Sequence, residues 1–354
     1  MAYTTIDDPS AHFQTTTYTG SGSSGNAITN SGNSDLKPDW LWIKSRSDTE
    51  QHTVWDSSRG STKRLMPDAN NAEYVNSTQG VQSFDTDGFT TGESDQYNKS
   101  SQNCVAWQWK ANGGTTTTND ASATSVGTID SVYQANTTAG FSIVTYTGTG
   151  SAGTIAHGLG ATPKTYWIKR RSSGTADWYI YHSSIGATKN LRLNKTDALN
   201  TDSNIFNDTE PTSSVFSLGS SFSNTSSKDY VAYCFAEKQG YSKFGSYIGN
   251  GASSDGPFVY TGFKPAFFLI KSIDAARNWH IIDNKRNTIN PLNLYLNPNN
   301  SDADGTFVFG DFLSNGFKIT NLGNTFNTNA ETYLYMAFAE HPFVSSKGVP
   351  VTAR

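Results

Sequence analysis

The stretch Pro38-Asp39-Trp40-Leu41-Trp42-Ile43-Lys44 decides the fold, because its pattern returns twice further along the chain. Each copy has a proline, four residues that are mostly large and apolar, an isoleucine and a lysine. The later copies are Pro163-Lys164-Thr165-Tyr166-Trp167-Ile168-Lys169 and Pro265-Ala266-Phe267-Phe268-Leu269-Ile270-Lys271. Proline is tolerated at the first position of a strand. Each copy therefore predicts a strand that begins at a fixed φ and ends with its lysine in solvent.

Other landmarks keep their distance from this proline. A later phenylalanine follows it by 51, 53 and 52 residues, at Phe89, Phe216 and Phe317. The last aromatic of each copy follows by 71, 72 and 73 residues, at Trp109, Phe235 and Phe338. Each copy closes on alternating apolar residues: Val105-Trp107-Trp109, Val231-Tyr233-Phe235 and Leu334-Met336-Phe338. A period of two predicts a strand with one face on a core.

The sequence thus predicts an all-β protein of three tandem β-sandwich domains. Repeats near 100 residues exceed solenoid units and suit self-contained sandwiches. The predicted boundaries are 1–112, 113–240 and 241–354. The polar stretch 113–138 is predicted to be a linker with one added strand around Val126 to Ile129. Repeats 2 and 3 have almost no linker between them, so they are expected to pack rigidly together.

Composition narrows the class of function. Of 354 residues, 16% are charged and 13% aromatic, with a net charge of −4 and a pI near 5.9. An acidic chain argues against nucleic-acid binding and against cationic attraction to membranes. The start, residues 1–9, has no signal-peptide pattern, and no apolar run is long enough to predict membrane insertion. Cys104 and Cys234 lie at non-equivalent positions, so no disulfide is predicted.

Several motifs resemble chemical sites and are better explained as structure. Residues 20–25 and 148–153 match G-x-G-x-x-G, but no helical pattern follows either of them, so both predict turns. The six histidines are scattered, without the spacing of a zinc site. Glu237 and Glu340 share a repeat position, yet they lie in separate repeats and predict solvated strand ends rather than a catalytic pair. The sequence predicts no catalytic residue, metal site or cofactor, hence no enzyme.

Candidate ligand-binding aromatics fall outside the shared pattern. Trp55, Trp178 and Trp279 recur after the lysine of each copy, which favours a role in the core. Binding residues tend to lie on variable loops of a constant scaffold. The candidates for stacking against a sugar are therefore Tyr74, Tyr97, Tyr133 and Tyr181.

Three segments carry a resemblance to a known family. They are the opening Ile6-Asp7-Asp8-Pro9-Ser10 with Phe13-Gln14 and Tyr18-Thr19-Gly20, the junction from Ala232 to Gly245, and the ending Gly348-Val349-Pro350 through Ala353-Arg354. With them the whole chain resembles structural proteins of marine tailed bacteriophages, which carry tandem lectin-like or glucanase-like sandwich repeats. For the fold, the resemblance implies that the three sandwich domains are concanavalin-like jelly rolls. The resemblance implies a place in a virion as a tail-fibre or virion-associated protein.

The expected function is a virion surface adhesin, made in the host cytoplasm and assembled onto the particle. Its expected partners are other virion proteins, a host surface carbohydrate or receptor, and further copies of itself, with a trimer as the expected oligomer. Linked modules raise avidity without improving any single contact. A capsid decoration or head-fibre protein is the alternative within the same class, and a polysaccharide depolymerase is the alternative from another class.

Overall fold

The computed structural model describes residues 2–320 and 325–351, and it is all-β with antiparallel sheets. Helices are confined to single turns. They are a 3₁₀ turn at Pro9–Ala11, α1 (Asp95–Asn98), α2 (Ala121–Thr124) and α3 (Ser203–Phe206).

Repeat 1 forms a six-stranded sheet in the order β1-β9-β3-β4-β5-β6 and a three-stranded sheet in the order β2-β8-β7. Its strands are β1 (Phe13–Thr19), β2 (Asn26–Thr29), β3 (Trp40–Ser45), β4 (Thr53–Asp56), β5 (Lys63–Leu65), β6 (Tyr74–Val75), β7 (Val81–Asp85), β8 (Gly88–Thr91) and β9 (Asn103–Trp109).

Repeat 2 forms an eight-stranded sheet in the order β10-β11-β12-β19-β14-β15-β16-β17 and a two-stranded sheet, β13-β18. Its strands are β10 (Thr117–Asn119), β11 (Ser131–Asn136), β12 (Phe141–Thr147), β13 (Gly153–Ala156), β14 (Thr165–Arg170), β15 (Tyr179–His182), β16 (Lys189–Arg192), β17 (Asn200–Thr201), β18 (Val215–Leu218) and β19 (Asp229–Phe235).

Repeat 3 forms two four-stranded sheets, β20-β27-β22-β23 and β21-β26-β25-β24. Its strands are β20 (Ser242–Ile248), β21 (Phe258–Tyr260), β22 (Phe263–Ser272), β23 (His280–Asp283), β24 (Leu292–Tyr295), β25 (Gly305–Leu313), β26 (Gly316–Ile319) and β27 (Thr332–Pro342).

In each repeat a cluster of buried apolar residues lies between the two sheets, which makes the fold β-sandwich-like. The recurring phenylalanine, Phe89, Phe216 or Phe317, belongs to this cluster in every copy. The all-β prediction is confirmed. The division into three jelly-roll domains with the boundaries given above stays a prediction.

A fourth cluster is shared by all three repeats, and it takes the outer face of each large sheet. On β9, Trp107 and Trp109 enter this cluster while Ala106 faces the sandwich interior. The last aromatics of the three repeats meet one another: the ring centroids of Trp109, Phe235 and Phe338 are 5.5 to 6.4 Å apart. Aromatic pairs at these separations add to the stability that burial alone gives. The alternating strands are therefore buried on both faces.

Three hydrogen bonds of one kind join the repeats into a ring. They run from Trp178 Nε1 to the Met66 carbonyl (2.9 Å), from Trp279 Nε1 to the Arg192 carbonyl (3.0 Å) and from His52 Nε2 to the Asn297 carbonyl (3.1 Å). In each case the donor repeat differs from the acceptor repeat, and the strand registers place the donors and the acceptors at equivalent positions. A head-to-tail contact that closes after three steps is the geometry of a threefold ring.

A second cycle of main-chain bonds follows the same order. The N–H groups of Glu73, Leu199 and Asp304 donate to the carbonyls of Arg171, Ile273 and Arg46, each at 2.8 Å. One chain thus reproduces the arrangement of a cyclic trimer.

Two of the three junctions carry a buried chain of charges. Between repeats 1 and 2, Arg59 binds Asp56 at 2.5 Å and Glu73 at 2.9 Å, and Glu73 also binds Arg171. The Tyr233 hydroxyl of repeat 2 donates to Asp56 at 2.7 Å. Each charged side chain in this series has an oppositely charged partner, which offsets the free-energy cost of removing the charge from water.

Between repeats 3 and 1 the same positions hold Asp283, Arg286, Asp304 and Arg46, linked at 2.7 to 2.8 Å. Between repeats 2 and 3 they hold His182, Ile185, Leu199 and Ile273, and the three aliphatic residues pack against the shared cluster. The ring therefore has two ionic junctions and one apolar junction.

Three sequence expectations need correction. The lysines that end the P-x-x-x-x-I-K strands, Lys44, Lys169 and Lys271, are buried rather than solvated. Each Nζ donates to main-chain carbonyls at the end of its own strand or in the loop that follows, and Lys271 Nζ also donates to the Thr196 carbonyl of repeat 2. Burial lowers the pKa of Lys169 to about 7 and those of the other two lysines to about 8.

The stretch 113–138 is not a linker. It contains β10, α2 and β11, and β11 pairs with β12 over six residues. The added strand predicted around Val126 to Ile129 lies instead at Ser131–Asn136, and Ile129 makes only an isolated bridge to Ile155.

Trp55 is in the core, as are Trp178 and Trp279, but it is not their equivalent. The strand register gives that position to His52 in repeat 1. The Trp42 indole donates to His52 Nδ1 at 2.9 Å, so Nε2 carries the proton that faces Asn297. Cys104 and Cys234 are both buried and free.

Candidate functional site

An open groove of about 580 Å³ lies on the large sheet of repeat 2. Its walls are mostly hydroxyl, carboxylate and small apolar side chains. The lining residues are Thr118, Thr128, Ile129, Asp130, Ser131, Val132, Thr145, Tyr146, Thr147, Thr149, Arg171 and Asp229.

The strand register sets the floor of the groove. Thr118 pairs with Val132, and Val132 pairs with Thr145, so these three side chains stand side by side across β10, β11 and β12. One step along β12, Thr147 pairs with Asp229 of β19. Because β10 and β11 lie in residues 113–138, the extra segment that precedes the shared pattern of repeat 2, the groove is a feature of repeat 2.

The carboxylates of the groove are held by hydrogen bonds. Asp229 Oδ1 accepts from the Thr147 hydroxyl at 3.0 Å. Asp130 Oδ1 accepts from the Ala121 N–H at 2.9 Å, which ties the groove to the start of α2. These bonds fix the side chains on a sheet whose other face is packed.

The cation of the groove is already paired. Arg171 donates to both oxygens of Glu73 in repeat 1, at 2.9 and 3.1 Å. Burial opposes ionisation of Glu73, but the bonds from Arg171 and Arg59 outweigh it and hold the pKa of that carboxyl below its usual range. Asp130 and Asp229 therefore leave the groove slightly negative.

This arrangement suits a neutral ligand rich in hydroxyls. Threonine hydroxyls both donate and accept, carboxylates accept, and Val132 and Ile129 offer apolar contact. A preformed cleft with a few fixed polar groups is the usual form of a small-molecule site.

The four candidate tyrosines are not brought together. Tyr97 and Tyr181 are 0% and 1% exposed, and their hydroxyls are bonded to the Gln79 carbonyl and to Glu210. A sugar needs access to the ring face, so the stacking role predicted for these two residues is wrong.

Tyr74 and Tyr133 stay predictions. Tyr74 is 53% exposed on the edge strand β6, with the Arg64 guanidinium 4.8 Å from its ring centroid. Tyr133 lies on β11 beside the groove residue Val132, but its ring packs against the interior cluster of repeat 2. In the sequence, the feature that could have indicated the groove is the extra segment 113–138, which makes repeat 2 longer than the others, rather than any aromatic residue.

The glycine-rich motifs are turns, as predicted, and a buried asparagine holds each of them. Asn98, Asn224 and Asn327 accept an N–H from loops 20–25, 148–153 and 249–254 at 2.8 to 2.9 Å and donate back to carbonyls of the same loops. Sequence reasoning missed these residues, although they follow the proline by 60, 61 and 62 positions.

The two glutamates that share a repeat position form ion pairs with lysines. Glu237 and Glu340 bind Lys243 and Lys264 at 2.7 and 2.8 Å. Within residues 2–320 and 325–351, no group of three or more His, Cys, Asp or Glu side chains could hold a metal ion. In the same residues no helix is long and apolar enough to span a membrane.

Fold and groove define a class: a β-sandwich-like protein whose three repeats share one core and whose second repeat carries an open polar groove. The chain belongs to the DUF7483 family, described as a domain of unknown function, and the family model matches residues 8–342. No curated protein matches the chain.

Proposed function

We propose that this chain is a structural protein of a bacteriophage virion and acts as a compact adhesin that holds host-surface glycan in the groove of repeat 2. The virion assignment rests on the sequence resemblance. The binding role rests on one observation, the open groove lined by hydroxyls and carboxylates on repeat 2.

The mechanism is weak recognition repeated many times. The groove is preformed, so little side-chain freedom is lost on binding. Copies arrayed on one particle convert later contacts into intramolecular ones, which raises avidity by about 10²–10⁴. Self-association, as in the expected trimer, would multiply the effect.

The test is binding of labelled protein to intact candidate host cells, with competition by surface polysaccharide stripped from them. Saturable binding is expected, and Asp229→Ala should lose it. Asn103→Ala is the matched control, because Asn103 pairs with Thr19 as Asp229 pairs with Thr147. Equal loss in both variants would contradict the assignment of the groove. Release of oligosaccharide by the purified protein would overturn the binding role in favour of a depolymerase.

A capsid decoration or head-fibre role is the second candidate, and the ring favours it. A chain with approximate threefold symmetry fits onto a threefold axis of a shell as a single copy. A phage that lacks the protein separates the two roles: loss of adsorption supports the adhesin, and a fragile head supports decoration.

A further inference from the structure

Two sheet edges of repeat 3 expose large apolar side chains. β20 ends one sheet of the repeat and β21 ends the other. Ile248 on β20 is 63% exposed, and Phe258 and Tyr260 on β21 are 46% and 51% exposed. The Tyr260 hydroxyl meets that of Tyr3 at 2.9 Å, but its ring stays half exposed. Edge strands offer unpaired main-chain groups, which proteins usually protect with charge, proline or a covering segment.

The same edges of repeat 1 are small or polar. The strand registers place Thr19, Ala27 and Thr29 where repeat 3 has Ile248, Phe258 and Tyr260. The apolar character of these edges therefore belongs to repeat 3 and is not required by the shared fold.

In repeat 2 the chain itself covers both edges. β11 pairs antiparallel with β12, and Ile129 bridges in parallel to β13. The N–H groups of Thr128 and Ile129 donate to the Thr154 carbonyl at 2.9 and 3.2 Å, and the Ser131 hydroxyl donates to the Ala156 carbonyl at 3.3 Å. One extended segment, residues 127–136, thus crosses from one sheet to the other.

We propose that the β20 and β21 edges of repeat 3 bind an extended segment of a partner polypeptide, which adds to them as residues 127–136 add to repeat 2. In such strand addition, main-chain bonds supply affinity and alternate side chains supply specificity. The partner segment runs antiparallel to β20 and places apolar side chains against Ile248 and Phe258.

A flexible segment fits better than the rigid edge of a second copy. The covering segment of repeat 2 bends from β12 to Ile155 of β13, and it pairs antiparallel with one strand and parallel with the other. A sheet edge from another copy continues one sheet only and leaves the second edge exposed.

The test uses the full-length protein and a synthetic peptide with the sequence of residues 127–136, followed by hydrogen–deuterium exchange. At a peptide concentration three times its Kd, exchange in 245–248 and 258–260 should slow about fourfold, since opening requires dissociation. Exchange in 26–29 of repeat 1 should stay unchanged.

Matched variants assign the effect. Ile248→Lys and Phe258→Lys should abolish the protection, while Thr19→Lys at the repeat 1 position should leave it intact. Asp229→Ala should also leave it intact, so that failure of glycan binding and failure of strand addition are distinguished.

Three results would overturn the proposal. One is unchanged exchange with millimolar peptide. Another is equal protection of the repeat 1 edges. The last is a dimer of the protein alone that Ile248→Lys disrupts, because a second copy would then be the occupant.

Discussion

Replacing Asp68 by asparagine should stabilise the protein, and only above a defined pH. The Asp68 carboxyl interacts with the main-chain N–H of His52. Asn194 and Asn299 hold the equivalent positions and accept from the Trp178 and Trp279 N–H groups at 3.0 and 2.8 Å. Repeat 1 thus places a carboxyl where the other repeats place a neutral amide.

The structure sets the size of the effect. Burial raises the pKa of Asp68 from 3.8 to about 7, and its Oδ1 is buried without a hydrogen-bond partner. Since a tenfold change in proton affinity corresponds to about 1.36 kcal/mol, the raised pKa lowers the free energy of unfolding by up to about 4 kcal/mol at neutral pH. Asp68 retains some exposure and faces the buried Lys44, which loses a counter-charge in the variant, so the net gain should be about 1–2 kcal/mol.

The pH dependence follows from the direction of the shift. Because the folded pKa is raised, the native state binds more protons than the unfolded state between pH 3.8 and about 7, and its stability falls as pH rises through that window. Asp68→Asn should therefore match the wild type below pH 4, gain stability from pH 4 to 7 and level off above.

Thermal unfolding at pH 4, 6 and 8 measures this, with an expected rise in Tm of roughly 1–3 °C at pH 8 for a chain of this length. Asn299→Asp is the matched control, since it places a carboxyl beside Lys271 as Asp68 lies beside Lys44, and it should lose stability over the same window. A gain that does not vary with pH, or a loss at pH 8, would refute the reasoning.

Three further outcomes are expected. Arg59→Met should cost about 3–5 kcal/mol in urea unfolding, because it leaves Asp56 buried and unpaired; a loss under 1 kcal/mol would contradict the ionic junction. Asn224→Ala should cost about 2–3 kcal/mol in the same assay, because it leaves one N–H and two carbonyls without a partner. Protease cleavage within 148–153 should become faster. An unchanged cleavage rate would show that Asn224 does not hold this loop. Lys169→Met removes a lysine whose folded pKa is lowered to about 7. Between pH 7 and 10.5 the free energy of unfolding of the wild type should therefore rise relative to that of the variant, by at most about 1.4 kcal/mol per pH unit. A difference independent of pH would show that Lys169 stays charged.

Much of the sandwich was predictable because its signals are local. A proline before apolar residues and a strict period of two specify strands by chain geometry alone. The fixed distances to Phe89, Phe216 and Phe317 showed that the chain repeats, and each of these residues lies in the interior of its repeat. Counting from the same proline would also have located Asn98, Asn224 and Asn327, which follow it by 60, 61 and 62 positions.

The junctions could not be predicted, because they depend on which residues meet from different repeats. Arg59 and Tyr233 are 174 positions apart, and no local pattern links them. A substitution between repeats also made the ring hard to predict. Repeat 1 has His52 where the others have Trp178 and Trp279, and the nearby Trp55 is the residue that the sequence pattern aligns with them.

Simple rules failed for two kinds of residue. A lysine at a strand end is usually solvated, but Lys44 is buried, because its Nζ donates to the main-chain carbonyls of Ser45 and Asp48. Tyr97 and Tyr181 vary between repeats yet are buried, since a difference between repeats marks changed packing as readily as a binding surface. The groove depends on β10 and β11, whose polar residues gave no apolar period.

Calorimetry of the full-length protein tests the central claim, that three repeats close into one ring around a shared core. A shared core and three head-to-tail junctions predict one transition whose calorimetric and van't Hoff enthalpies agree. Two or three separable transitions, each assignable to a repeat that folds alone, would contradict the ring.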